Sequence, residues 1–67
     1  MRSDVAYKIR EKRKEAGISQ TELSQMVGFH RNTIVNFELG KSDPKIHSLE
    51  KIAKALNVPI VDLLPSS

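Results

Sequence analysis

Apolar residues recur along this chain at intervals of three and four, and no stretch alternates long enough to suggest a strand. The pattern predicts five helices, over about residues 4–15, 20–27, 31–39, 48–56 and 59–64. In the first, Val5 and Ile9 form one face with Ala6 and Ala16 beside them and Arg13 at its far end. Ser3 is placed to cap that helix, Asp4 suits its first turn, and Lys12, Arg13 and Lys14 suit its last. Gly17 then stops it. In the second, Leu23, Met26 and Val27 are read as facing inward. Ser19 and Glu22 have the spacing of a capping box, and Ile18 and Leu23 that of a hydrophobic staple.

Gly28 ends the second helix, most simply in a left-handed conformation, and the third begins almost at once. The apolar face of the third helix is Ile34 and Phe37, with Leu39 left open between the core and the following loop; Gly40 ends it. Ser42, Asp43 and Pro44 make a turn. Leu49, Ile52, Ala53 and Leu56 form the inner stripe of the fourth helix, with His47 preceding or capping it. In the fifth, Pro59 is acceptable in the first turn, and Ile60, Leu63 and Leu64 close the core.

A tight helix-turn-helix whose second helix opens with His30, Arg31, Asn32 and Thr33 suits docking in a DNA major groove. Arginine can donate bidentately to guanine and asparagine can pair bidentately with adenine, while Val35 offers only apolar contact, for example to a thymine methyl. Composition agrees with that reading. The 67 residues allow one domain, and 11 lysines and arginines against 8 acids give a formal charge of +3, which favours a polyanionic partner. The absence of cysteine excludes disulfides and thiolate metal sites. No apolar run approaches the roughly 18 residues of a membrane span, and the N-terminal stretch is too charged for a signal peptide, so a soluble, cytoplasmic protein is expected. An enzyme reading has little support. His30 and His47 have no carboxylates at metal-ligand spacing, Ser24 and Ser48 have no evident base, and there is no glycine-rich phosphate loop. No metal, cofactor or small-molecule ligand is expected.

The chain resembles the phage-repressor and Cro-like (Xre-type) helix-turn-helix proteins over about residues 5–64. The motifs are I-R-x-x-R at Ile9–Arg13, G-I-S-Q at Gly17–Gln20, E-L-S at Glu22–Ser24 and the turn glycine Gly28. I-x-x-F-E-x-G-K follows at Ile34–Lys41, then Pro44 and L-x-K-I-A-K-A-L-N-V at Leu49–Val58. The resemblance implies an all-α fold, a compact five-helix bundle of the lambda-repressor-like type in which helices two and three form the DNA-binding unit. It implies base reading by Arg31, Asn32, Val35 and Asn36, with His30 either reading a base, touching a phosphate or capping the helix. It implies phosphate contacts by Gln20, Thr33 and Lys41, and a structural ion pair between Arg13 and Glu38. Phe37 stands where many similar proteins carry tryptophan, and Leu39 where a polar residue is common, so no phosphate contact is assigned to Leu39.

Three functional readings remain open at this point. The first is a self-contained transcriptional regulator: a repressor, a Cro-like switch or a controller of a restriction–modification operon. The second is an antitoxin-type or other protein-interaction module that kept the fold. The third is the DNA-binding fragment of a larger regulator. A separate toxin-binding tail would favour the second, and only Pro65, Ser66 and Ser67 follow the last predicted helix. One recognition helix reads about four or five base pairs, so a two-fold dimer on an inverted repeat is expected, either weak or formed only on DNA. The surface available for it is Val58, Pro59, Ile60, Val61 and Leu64. Val61 is its best single candidate, because helical periodicity turns it away from Ile60 and Leu64.

Overall fold

Each predicted helix must bury its apolar stripe against another, and the four α-helices do so around one core. The computed structural model describes residues 4–65 of the chain. Its elements are α1 (Asp4–Glu15), α2 (Gln20–Val27), α3 (Arg31–Leu39), α4 (Ile46–Leu56) and a closing 3-10 turn (Ile60–Asp62), with no strand among the described residues. The core gathers Ile9 from α1, Leu23 and Val27 from α2, Ile34 and Phe37 from α3, and Leu49, Ile52, Ala53 and Leu56 from α4. Leu63, just after the 3-10 turn, is fully buried and closes it. The expected cap at Ser3 lies outside the described residues.

Local chemistry sets the ends of α2. The Ser19 hydroxyl accepts from the Glu22 amide at 3.0 Å, and the Glu22 carboxylate accepts from the Ser19 amide at 2.8 Å, completing the capping box. At the other end Gly28 sits at φ 76°, a left-handed conformation that costs an L-residue roughly 1–2 kcal/mol. A Cβ there would meet nothing within 4 Å, so backbone conformation and not crowding calls for glycine. The same left-handed stop closes α4 at Asn57, φ 58°, where asparagine is the next best residue.

Four expectations are corrected. Met26 does not face inward; it is 56% exposed. The inner stripe of α2 is Gln20, Leu23, Ser24 and Val27, at i, i+3, i+4 and i+7, and Met26 falls off that line. The buried Ser24 hydroxyl donates to the Thr21 carbonyl at 2.7 Å, which removes the cost of an unpaired polar group. Ala16 is exposed, because the turn leaves α1 just before it. The fourth helix begins at Ile46, two residues early: the Leu49 amide already donates to the Lys45 carbonyl at 2.9 Å, so His47 lies within its first turn. The fifth helix is a single 3-10 turn, with i→i+3 bonds from Asp62 to Pro59 and from Leu63 to Ile60. Two prolines, Pro59 and Pro65, confine this segment to a length too short to sustain an α-helix. The Lys8 ammonium donates to the Leu64 carbonyl at 2.6 Å and ties this turn to α1.

A buried ion pair locks α3 to α1. Arg13 Nε donates to Glu38 Oε2 at 2.6 Å and Arg13 Nη2 to Oε1 at 3.0 Å, a two-pronged contact. The Glu38 side chain is 3% exposed and that of Arg13 11%. Two further bonds extend the clamp: Gln20 Nε2 donates to Glu38 Oε1 at 3.1 Å, and Arg13 Nη1 donates to the Ile18 carbonyl at 2.9 Å. The hydrogen bond to Glu38 raises the Arg13 pKa above its ordinary value, with desolvation opposing and the Glu38 charge adding to the rise. Stability from a raised arginine pKa is present below the ordinary arginine range and is lost only above it, so the pair holds its positive partner at every working pH.

Arg13→Met should cost about 3–5 kcal/mol, because it leaves Glu38 buried without its cation. The double variant Arg13→Met/Glu38→Leu should recover most of that loss. Urea titration of these two and of Glu38→Leu alone completes the cycle, and additive losses would show that the pair does not couple. Leu63→Ala should cost about 2–5 kcal/mol in the same assay, whereas a loss well below that range would make the closing turn peripheral to the core.

Candidate nucleic-acid interface

Helix α3 divides sharply by face. Ile34, Phe37 and Glu38 are buried toward the scaffold. At helical period, Asn32, Val35 and Asn36 lie on the opposite side, with Arg31 and Thr33 flanking them at the start of the helix. Arg31 and Asn32 are exposed; Thr33, Val35 and Asn36 are half-buried. Within the described residues no hydrogen bond or ion pair engages the side chains of Arg31, Asn32, Thr33 or Asn36. Their donors and acceptors are therefore free for an outside partner. Lys41 is likewise exposed and unpaired just beyond Gly40, and its amide donates to the Asn36 carbonyl at 3.0 Å, so the loop is held to the end of α3.

His30 has a defined local role. Its Nδ1 accepts from the Asn32 amide at 3.1 Å, which makes it the N-cap of α3. An imidazole that accepts at Nδ1 carries its proton on Nε2, so Nε2–H is the donor left for any other partner. Gln20 opens α2, and its amide nitrogen is directed to Glu38. Its side chain therefore joins the first residue of one helix to the inner face of the next. Arg31, Asn32, Val35, Asn36, His30 and Thr33 thus share one short element, Lys41 lies at its far end, and Gln20 and Arg13 hold its rear.

The residues overlooked in the sequence are those that build the turn. Phe29 packs edge-on to Phe37 with ring centroids 6.4 Å apart, and the Lys51 ammonium lies 5.6 Å from the centre of the Phe29 ring. The signal was present: Phe29 precedes the cap and Ile34 stands at the fourth helical position, the spacing of a hydrophobic staple. Leu39, left open above, is 46% exposed at the end of α3. No group of three or more histidines, aspartates or glutamates among the described residues is placed to hold a metal ion. No helix of the described residues is long and apolar enough to cross a membrane.

Known proteins resemble this chain in sequence and in fold. The helix-turn-helix family matches residues 9–63. A relative named as the cryptic phage CTXphi transcriptional repressor RstR of Vibrio cholerae is 38% identical over 60 residues, covering 90% of this chain and 54% of the relative. The chain thus spans about half the length of that repressor. A transcriptional regulator of the same helix-turn-helix type from Archaeoglobus fulgidus is 45% identical over 56 residues, 84% of this chain and 80% of the relative. The restriction–modification controller protein C.AhdI from Aeromonas hydrophila superposes with a TM-score of 0.87 at 26% identity, over 91% of this chain and 92% of the controller. The chain therefore belongs to the helix-turn-helix family of DNA-binding transcription regulators, a family of regulators and not of enzymes.

Proposed function

We propose that this chain is a transcriptional repressor, acting in the cytoplasm, that binds an inverted-repeat operator as a two-fold dimer with α3 in the major groove. The observation that carries the reading is the division of α3: a buried clamp at its rear and an unengaged row of polar side chains at its front. Arg31, Asn32, Val35 and Asn36 read base edges, with His30 adding at most its Nε2–H beside its cap. Thr33 and Lys41 meet phosphates, which positions the helix without reading sequence. The free atoms of the Gln20 amide, beyond its bond to Glu38, meet a phosphate at the start of α2. Similarity to a phage repressor and to a restriction–modification controller supports a regulator that works by occupying a promoter.

Dimensions favour two copies. A molecule of 30 × 23 × 21 Å covers about one turn of duplex or less, so reading two half-sites roughly 34 Å apart calls for a second copy. The dimer surface is the closing segment. Val58, Ile60 and Leu64 pack partly on the core, Pro59 is exposed, and Val61 projects furthest, 66% exposed. An interface this small gives a weak dimer that DNA reinforces.

Selection of binding sites from random duplexes, followed by sequencing, tests the reading; an inverted repeat is expected, and no enrichment would remove it. On the selected site Arg31→Ala should lose about 1–3 kcal/mol and relax preference at one base position. Equal losses on selected and random DNA would show that Arg31 does not read. Val61→Asp should abolish cooperative binding to the full repeat while leaving binding to an isolated half-site unchanged, as read by gel shift. Undiminished cooperativity would move the interface elsewhere.

A further inference from the structure

A second exposed surface lies where the end of α2 meets the outer side of α4. Met26, Val27 and Ala55 floor an open groove of about 370 Å³, and Lys51 and Lys54 line its rim. Met26 is 56% exposed, a large apolar side chain kept in water beside the buried Val27. Neither lysine pairs with a carboxylate among the described residues. Three other cations do have partners: Arg13 holds Glu38, Lys12 holds Glu15 and Lys8 holds the Leu64 carbonyl. The Lys51 ammonium is also steadied over the Phe29 ring, so its charge has a preferred position beside the groove.

We infer that this groove docks an acidic amphipathic helix of another protein. The two uncompensated lysines complement carboxylates flanking the apolar stripe of such a helix, and the stripe itself covers Met26, Val27 and Ala55. Methionine suits the role because its flexible thioether adapts to different apolar anchors. Nucleic acid does not account for the surface, since an apolar floor offers nothing to phosphate. A second copy of the chain is disfavoured, because a two-fold contact through this face brings the same lysines together. The groove shares no residue with the set proposed to meet DNA.

The probe is a synthetic fluorescent helix with leucines at i, i+3, i+4 and i+7 and glutamates on either side, titrated against the full chain. A saturable rise in anisotropy is expected, with amide shifts centred on Met26, Val27, Lys51, Lys54 and Ala55. The Lys51→Glu/Lys54→Glu variant should bind about ten-fold more weakly or worse while still unfolding cooperatively, with a midpoint only slightly lowered by loss of the Phe29 contact. A lack of saturation, or equal binding by parent and variant, overturns the inference. So does equal binding of a control peptide with serines for leucines, which would reduce the effect to charge. Shifts centred on Arg31 would place the peptide on the DNA face and overturn it as well. A concentration-dependent mass that disappears in Met26→Asp would assign the groove to a second copy, with the same consequence.

Discussion

A carboxylate that is 3% exposed in so small a molecule is the constraint on which the rest is built. Glu38 cannot be buried charged without a cation and hydrogen-bond donors, and Arg13 and Gln20 supply them from α1 and α2. Apolar packing of Ile34 and Phe37 would tolerate some rotation of α3 about its axis. A two-pronged guanidinium contact does not, because both of its bonds have fixed directions. The orientation of α3 on α1 and α2 is therefore set by directional polar bonds, and the apolar core supplies adhesion.

The ends of the helices are governed by equally local rules. Ser19 and Glu22 cap α2 reciprocally, His30 caps α3 through Nδ1, and a left-handed residue follows each of the four α-helices. Such caps matter in a chain with 4% aromatic residues, whose core is mostly aliphatic and whose α2 has only eight residues. A helix of that length does not persist on its own, and each satisfied terminal group narrows the gap that tertiary packing must cover.

Much of this was legible in the residue order, and the exceptions have physical causes. Helices α1, α2 and α3 begin and end as the spacing and caps indicate, because those signals are local. The residues of the Arg13–Glu38 pair were named only through resemblance, since nothing in the spacing of two residues 25 apart reveals their contact. Hydrophobicity alone turns Met26 inward, whereas angular position on α2 turns it outward and brings Ser24 in. The closing segment was read as a helix because its apolar residues have helical spacing; the two flanking prolines decide otherwise. On α3 the sequence pattern separates inner from outer residues, but it does not reveal that His30 Nδ1 and the Gln20 amide nitrogen already have partners inside the protein.

The two-faced construction of α3 also bears on how such a protein changes over time. Residues 34, 37 and 38 carry the fold, while Arg31 and Asn32 are exposed and their side chains make no hydrogen bond or ion pair among the described residues. Substitutions at exposed positions of this kind typically move stability by no more than about 0.5 kcal/mol. The outer row is thus free to drift, or to be rewritten, with little burden on folding. On the proposed reading of DNA by that row, one scaffold can be retuned to new addresses in a genome, its alphabet separable from its frame.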